Sequence, residues 1–205
     1  VVSCQLVERG FLAGLDRLFQ GEYPPGQTSI LYISPLKALN NDIFRNLLSP
    51  LEELKAAFHA HGHPVPNIRV KVRSGDTSES ERRKMIRRPP EILITTPESL
   101  NLLITSQSGR TMLSTVRCVI LDEIHAVAGN KRGVFLMSAV ERLAHLAGEF
   151  QRIAMSATAT PLDQVARLVG GYSLSGPSAA PVHAVREVEI VRSGNSKSIE
   201  LEIRS

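Results

Sequence analysis

The sequence is poor in cysteine, in long apolar stretches and in net charge. Its two cysteines, Cys4 and Cys118, lie far apart and provide neither a disulfide framework nor a metal knuckle, as expected in a reducing cytoplasm. No apolar run is long enough to cross a bilayer, and residues 1–10 lack the basic start and apolar block of a signal peptide. The formal net charge of +4 permits a polyanionic partner without requiring one. These absences favour a cytoplasmic protein with no membrane partner.

Apolar runs that are typical of strands alternate with segments of helical periodicity. Five of these runs are continuous, like the buried strands of a parallel sheet, and they span Ser29–Ile33, Ile68–Val72, Glu91–Thr95, Val116–Leu121 and Arg152–Met155. We therefore predict an α/β fold, in one domain, with helices on both faces of a parallel sheet. Residues 170–181, rich in Gly, Ser, Ala and Pro, are predicted to be a connection. Residues 188–191 and 199–203 are predicted to be detached strands.

Two adjacent carboxylates, Asp122 and Glu123, directly follow the apolar run that ends at Leu121. In a parallel sheet this position is the carboxyl edge, where α/β proteins bind ligands. Adjacent like charges are unfavourable unless a cation or a reacting group uses them. This favours a site in which Asp122 holds Mg²⁺ and Glu123 polarises a water molecule. The alternative is a solvated helix start, because acidic residues are common in a first turn.

Polar or basic groups follow the other predicted strands as well. A helix that begins near Lys37, after Ser34 and Pro35, offers free N–H groups and an ammonium group to a phosphate. Thr96 and Pro97 suit the N-cap and first position of a second such helix. Taken alone, each of these turns is better explained by ordinary helix capping. Further polar groups after predicted strands are Ser74, Gly75, Ser156 and Thr158.

In chain order, the segments after the predicted strands read SPLKAL, SGDT, TTPESL, DEIH and SAT. This series resembles the first RecA-like domain of superfamily 2 helicases of the DEAD/DEAH type. The longer stretches are similar to the large-helicase-related (Lhr-type) group of ATP-dependent DNA helicases; they read YISPLKALNNDI, VRSGDTSESERRKMIRRPPEILITTPESLNLL, VILDEIHAVAGNKRGVFLMSAVERL and MSATAT. The resemblance covers nearly all of the sequence from Phe11 onward, and ordered matches at these spacings are far more specific than any single one.

The resemblance implies a role for each matching residue. Asp122 matches the carboxylate that holds Mg²⁺, through water, and Glu123 matches the residue that activates the hydrolytic water. His125 matches a residue that acts with Ser156 and Thr158 to couple the nucleotide state to the grip on nucleic acid. The residues that match contacts to the phosphates of one strand, expected to be single-stranded DNA, are Ser34, Pro35, Lys37, Ser74, Gly75, Thr96 and Pro97.

The family's phosphate loop, G-x-x-x-x-G-K-[ST], has no match in the 205 residues. We expect a truncated piece of a larger helicase rather than a degenerate relative. Residues 1–185 are then a partial first RecA-like domain, and residues 186–205 lead toward a second RecA-like domain, its expected partner. ATP and Mg²⁺ are expected as cofactors of the parent enzyme, and the isolated chain is expected neither to bind them tightly nor to hydrolyse ATP. The alternative is a non-catalytic module that binds nucleic acid.

Overall fold

Five parallel strands form the central sheet. The computed structural model describes residues 2–35, 37–156, 161–175 and 182–191, apart from the side chains of residues 2–10, 37–43, 46, 47 and 175. The strands are β1 (Ile30–Ile33), β2 (Val70–Arg73), β3 (Ile92–Thr95), β4 (Cys118–Leu121) and β5 (Gln151–Ala154). Their order across the sheet is β2-β3-β1-β4-β5, and every neighbouring pair is parallel. The predicted α/β fold with a parallel sheet is confirmed.

Helices connect these strands. Those in the described residues are α1 (Val2–Phe19), α2 (Lys37–Ala60), α3 (Glu79–Arg87), α4 (Pro97–Thr105), α5 (Gln107–Leu113), α6 (His125–Ala128), α7 (Lys131–Ala147) and α8 (Leu162–Gly170). Ser106 caps the start of the short helix α5 by accepting a hydrogen bond from the N–H of Gly109 at 3.2 Å. Pro50 lies inside α2 without dividing it. None of the described helices is both long enough and apolar enough to span a bilayer.

Alternating strand side chains build one apolar core on each face of the sheet. On the first face, Ile30 and Tyr32 of β1 pack with α1 and α2, in a cluster that includes Phe11, Leu15, Leu18, Leu51, Ile92, Ile94, Cys118 and Ile120. On the second face, Leu31 and Ile33 pack with α4, α5 and α7, in a cluster that includes Leu93, Leu100, Leu103, Leu113, Val119, Leu121, Leu136 and Leu143. Because both faces are covered, every residue of β1, β3 and β4 is buried.

The helices that follow β1 and β4 lie on opposite faces of the sheet. The helix after β1, α2, packs in the first core, whereas α6 and α7, after β4, pack in the second. Since β1 and β4 are adjacent strands, a crevice opens beyond their carboxyl ends, and open α/β sheets bind ligands in such a crevice. The topology therefore indicates a ligand site at the ends of β1 and β4.

A buried carboxylate, Glu91, ties the loops together at the opposite, amino edge of the sheet. Its side chain is 2% exposed and accepts hydrogen bonds from the backbone N–H groups of Gly26 and Arg69, both at 2.7 Å. The Arg69 guanidinium adds two more, at 2.9 and 3.2 Å. Burial by itself raises the pKa of Glu91, but these hydrogen bonds outweigh burial and hold the pKa below its usual range.

An antiparallel hairpin follows α8, outside the main sheet. Its strands are β6 (Tyr172–Ser175) and β7 (Val182–Val185). Arg186 anchors the hairpin by donating to the carboxylates of Glu141 and Glu149 and to the carbonyl oxygen of Gly170, at 2.8 to 3.1 Å.

Two predictions for this part of the chain need correction. The connection expected over residues 170–181 contains β6, so that prediction is wrong for residues 172–175. Residues 188–191 form no strand, because no strand of the described residues lies beside them to complete a hydrogen-bonded ladder. The strand expected at residues 199–203 lies outside the described residues.

Candidate functional site

The five strands end in register, so the residues that follow them form one row at the carboxyl edge. The last residues of neighbouring strands are paired; across the sheet they are Arg73, Thr95, Ile33, Leu121 and Ala154. The next residues, in the same order, are Ser74, Thr96, Ser34, Asp122 and Met155. Backbone hydrogen bonds continue the sheet into this row, since the N–H of Asp122 donates to Ile33 at 2.9 Å and that of Met155 donates to Leu121 at 2.8 Å. The structure thus brings the predicted site segments to one edge.

Asp122 is a buried carboxylate that accepts few hydrogen bonds from the described residues. It is 6% exposed, and its Oδ1 accepts a hydrogen bond from the N–H of Glu123 at 2.9 Å. The nearby Tyr32 hydroxyl favours the charged carboxylate, yet it makes no hydrogen bond of good geometry within the described part of the chain. Burial outweighs these groups and raises the pKa of Asp122. Unlike Glu91, Asp122 keeps a poorly satisfied negative charge that a cation would stabilise.

Glu123 has a backbone conformation that is unfavourable for a residue with a side chain. Its φ is +48°, in the left-handed region, and no other non-glycine residue in the described ranges has a positive φ. This conformation costs about 1–3 kcal/mol, and such strain concentrates at functional sites. The Glu123 carboxylate is 19% exposed and lies beside His125, with 3.1 Å between Oε2 and the ring Nδ1.

His125 links the turn after β4 to the turn after β5. Its Nδ1 atom lies 3.1 Å from Ser156 Oγ as well as 3.1 Å from Glu123 Oε2. The two turns are also joined by the backbone, because the N–H of Ile124 donates to the carbonyl oxygen of Met155 at 3.1 Å. His125 and Ser156 are therefore in contact, whereas Thr158 lies outside the described residues.

Four of the predicted strand-binding residues reach the carboxyl edge with buried side chains. Ser34 and Thr96 are 0% and 5% exposed, and Pro35 and Pro97 are buried as well. The Thr96 hydroxyl caps α4 by accepting a hydrogen bond from the N–H of Ser99 at 3.3 Å. These four residues shape the loops and present backbone groups, but their side chains are not open to a large ligand.

The other predicted strand-binding residues are Ser74, Gly75 and Lys37. Ser74 is half-buried and Gly75 is exposed, in the turn after β2. The Ser74 N–H donates to Thr77 Oγ1 at 2.9 Å, which closes that turn. Lys37 is the first residue of α2, and its side chain lies outside the description.

Two arginines beside the turn after β2 are absent from the predicted site. Arg82 of α3 donates to the carbonyl oxygens of Ser74 and Gly75, at 3.3 and 2.9 Å. Arg73 is half-buried, and its pKa is lowered by burial and by the nearby charge of Arg82. No carboxylate of the described residues forms an ion pair with either guanidinium. Two neighbouring guanidinium groups suit an anion such as a phosphate, and the sequence signal is that Arg73 directly precedes SGDT.

An ion pair joins the first turns of α4 and α7. Arg132 donates from Nε and Nη2 to the two carboxylate oxygens of Glu98, at 2.6 and 3.2 Å. This contact holds the pKa of Glu98 below its usual range. The next residue, Gly133, packs so closely on α6 that a Cβ atom would overlap the carbonyl oxygen of Val127. The start of α7 is therefore fixed against both α4 and α6.

The carboxyl edge suits a hydrated cation rather than a cage of protein ligands. Among the described residues there is no group of three or more His, Cys, Asp or Glu side chains that would hold a metal ion. Mg²⁺ commonly keeps several water molecules and binds through one or two carboxylates together with substrate phosphates. Asp122, which is buried and short of donors, fits that kind of coordination.

The sequence matches the DEAD/DEAH box helicase family over residues 10–166. It is 52% identical over 147 residues to the ATP-dependent helicase Lhr-Core protein 2 of Thermococcus barophilus; the match covers 72% of this chain and 17% of that protein. It is 50% identical over 165 residues to the Lhr helicase/probable uracil glycosylase of Mycolicibacterium smegmatis, covering 80% of this chain and 11% of that protein. The chain thus spans less than a fifth of the length of these curated relatives.

A similar solved structure is that of the Mycobacterium smegmatis helicase Lhr bound to ssDNA and AMP-PNP. The TM-score is 0.75 at 49% sequence identity, and the superposition covers 80% of this chain and 21% of that one. This similarity confirms the RecA-like fold that the order of motifs predicts.

Proposed function

This chain belongs to the DEAD/DEAH box helicase family, and we propose that it is the first RecA-like part of an Lhr-type, ATP-dependent DNA helicase. In this proposal the carboxyl edge has two halves. The ends of β4 and β5 serve the nucleotide, and the ends of β1, β2 and β3 hold one nucleic-acid strand. The observation that carries the proposal is the in-register row of strand ends, because one rigid edge then supports both sites.

In the nucleotide half, Asp122 would hold Mg²⁺ through water, and Glu123 would activate the attacking water. Bound ATP would supply the phosphoryl group, and the metal ion would neutralise charge that develops on it. A nearby cation would remove the cost of burying the Asp122 carboxylate with so few donors. Glu123 is suited to accept a proton because its partly exposed carboxylate lies at the same edge, one residue further along.

The contacts of His125 support a role in coupling the turn after β4 to the turn after β5. His125 would sense the nucleotide half through Glu123 and pass a change in position to Ser156, in the turn after β5. Thr158 belongs to the same proposed coupling segment. A bridge between turns that follow different strands moves both turns together, which is the property that such coupling needs.

In the strand half, we propose that the nucleic acid is held mainly through its phosphates. Lys37, Ser74 and Gly75 would contact the backbone of single-stranded DNA, joined by the half-buried cation Arg73. The buried residues of this half would shape the loops that carry these contacts; they are Ser34, Pro35, Thr96 and Pro97. Such contacts position a strand without reading its sequence.

We propose that the 205 residues by themselves do not hydrolyse ATP, because they contain no Gly-Lys-Ser/Thr loop to hold the phosphates. The parent protein would complete the nucleotide site with a second RecA-like domain, reached through residues 186–205, whose arginine finger would contribute about 10³–10⁵ in rate. The same lack of a phosphate loop favours a second candidate function, a non-catalytic module that binds nucleic acid. The buried free thiol of Cys118 suits a reducing cytoplasm.

Fluorescence anisotropy with a labelled oligothymidylate, measured over a range of salt concentrations, tests the strand half. We expect binding that weakens steeply with salt. Lys37→Ala should weaken it and lower the slope of log affinity against log salt by about 0.7, the value for one phosphate contact to a single strand. Lys55→Ala is the matched control. It lies about 27 Å further along α2, in an ion pair of 2.8 Å with Glu52, and should leave the slope unchanged.

Equal losses of binding affinity in the two lysine variants would contradict the proposed strand path. So would a failure of the unsubstituted chain to bind the oligonucleotide. The nucleotide part has its own test in the same preparation. DNA-stimulated ATP hydrolysis that Glu123→Gln abolishes would show that the chain supplies its own phosphate site.

A further inference from the structure

The strand half of the carboxyl edge needs exposed cations, and few of its predicted residues provide them. Ser34, Pro35, Thr96 and Pro97 are buried, so their side chains cannot meet a phosphate without rearrangement. A single strand held through phosphates requires guanidinium or ammonium groups that reach solvent. Beyond the predicted residues, such a group lies in the first turn of α7.

Arg132 is an exposed guanidinium close to the proposed strand path. Its side chain is 41% exposed, and its partner Glu98, 53% exposed, lies two residues after the N-cap Thr96 in the first turn of α4. The pair therefore lies beside the end of β3, whose neighbour β2 ends at Arg73. The exposed guanidinium of Arg132 is therefore accessible to a ligand at this edge.

The contact between Arg132 and Glu98 has the geometry that a phosphate would use. Two parallel donors, Nε and Nη2, bind two oxygens at 2.6 and 3.2 Å, and guanidinium groups bind phosphates in the same forked manner. An exposed ion pair contributes little to folding stability, so a phosphate can compete for the guanidinium without unfolding the chain. Glu98 thus binds the guanidinium group of Arg132, which would otherwise be available to nucleic acid.

We propose that Arg132 is a phosphate-binding residue for the nucleic-acid strand, and that Glu98 is an ionic latch that competes with the phosphate for its guanidinium. The proposal rests on the proposed function, because it needs a strand at the ends of β1, β2 and β3. In the free protein the latch neutralises Arg132. In the complex, a phosphate of the nucleic-acid backbone replaces one or both carboxylate oxygens of Glu98 as acceptors of the Nε and Nη2 hydrogen bonds of Arg132.

Neutral substitutions at the two positions should have opposite effects on oligothymidylate binding. Glu98→Gln frees the fork and should tighten binding about two- to fivefold, the effect of one exposed ionic contact. It should also steepen the salt slope by up to about 0.7, because Glu98 no longer offsets the charge that Arg132 brings to the phosphate. Arg132→Gln leaves Glu98 uncompensated beside the strand and should weaken binding. In the double variant the gain should vanish, since it requires Arg132.

Glu52→Gln is the matched control, because it removes the same charge from an exposed glutamate in an ion pair far along α2. Glu98→Gln binding no tighter than Glu52→Gln, with wild-type binding intact, overturns the latch and leaves the proposed function standing. A gain that persists in the double variant also overturns it. Failure of every variant and of the parent chain to bind overturns both proposals. Circular dichroism should show the same fold for all variants.

Discussion

Glu91 and Asp122 are both buried acids, yet the protein surrounds them in opposite ways. Glu91 accepts four hydrogen bonds from Gly26 and Arg69, which lower its pKa. Asp122 has fewer donors, and burial raises its pKa. By linkage, the charge on Glu91 stabilises the folded state at neutral pH, whereas the charge on Asp122 destabilises it. A residue kept at a cost to stability points to a role in binding.

Replacing each carboxylate by the amide of the same shape should distinguish the stabilising role of Glu91 from the binding role of Asp122. Glu91→Gln is expected to lower the free energy of unfolding by about 2–4 kcal/mol, because it leaves a partly buried Arg69 without its partner. Asp122→Asn is expected to leave stability unchanged or to raise it by up to about 1 kcal/mol. Urea unfolding at neutral pH, followed by circular dichroism, measures both. A loss for Asp122→Asn as large as that for Glu91→Gln would refute this assignment of roles.

The same pair determines how stability responds to acid. The pKa of Glu91 is lower in the folded than in the unfolded state, so its contribution is complete above the unfolded value and is lost as pH falls through the folded value. Below about pH 5, the wild-type chain should therefore lose stability more steeply than the Glu91→Gln variant. Protonation of Asp122 acts in the opposite direction, because its folded pKa is raised. If the free energy of unfolding falls equally with pH in the wild-type chain and in Glu91→Gln, then Glu91 is not the source of the acid-dependent loss of stability.

At the scale of elements, the junction of α6 and α7 connects the carboxylate turn to the second core. The helix α6 carries His125 and Val127, and two residues separate its end from the start of α7. Gly133 lets α7 approach the backbone of Val127, while Leu136 and Val140 pack in the core. The position of His125 thus depends on a backbone contact that tolerates no Cβ atom.

Two glycine substitutions at this junction should change the stability of the fold in opposite directions. Gly133→Ala forces a Cβ onto the Val127 carbonyl and should destabilise the fold by about 1–3 kcal/mol, less the roughly 1 kcal/mol gained from the helix propensity of alanine. Gly129→Ala is the control, because no atom lies near its Cβ position and its φ of −91° suits alanine. Thermal unfolding compares them. Equal melting temperatures would show that α7 moves freely relative to α6.

At the scale of the whole molecule, the sheet has a rigid centre and weaker margins. All residues of β1, β3 and β4 are buried, whereas β5 is partly or fully exposed along its length. The residues of β7 are exposed as well. Asp122 and the ends of β1 and β3 therefore lie on the rigid centre, whereas the turn after β2 and the proposed coupling turn after β5 lie on margins that open more easily.

Hydrogen exchange followed by mass spectrometry should reveal this gradient. Peptides that cover β1, β3 and β4 are expected to exchange slowest, near the rate set by global unfolding. Peptides that cover β5 and the hairpin of β6 and β7 should exchange earlier, through local opening. The comparison is internal to one sample and needs no variant. Protection of β5 equal to that of β1 would mean that the sheet opens as one unit.

Prediction from the sequence succeeded where a local pattern and the tertiary structure agree. The five strands, the helices that begin near Lys37 and at Pro97, and the parallel arrangement are confirmed, because burial on both faces requires continuous apolar runs. The resemblance to Lhr-type helicases is confirmed as well. The predictions at residues 172–175 and 188–191 are wrong, because short exposed strands depend on a partner that the local sequence does not reveal. The roles of the site residues remain predictions.

The sequence by itself determined which chemical groups follow each strand, from Ser34 to Ser156, and the family to which the chain belongs. The tertiary structure alone decided that the strand ends lie in register, that Asp122 is short of donors while Glu91 is satisfied, and that Glu98 holds Arg132. The physical reason is range. Strand propensity and capping act between neighbours in the chain, whereas burial and ion pairing depend on residues that only folding brings together.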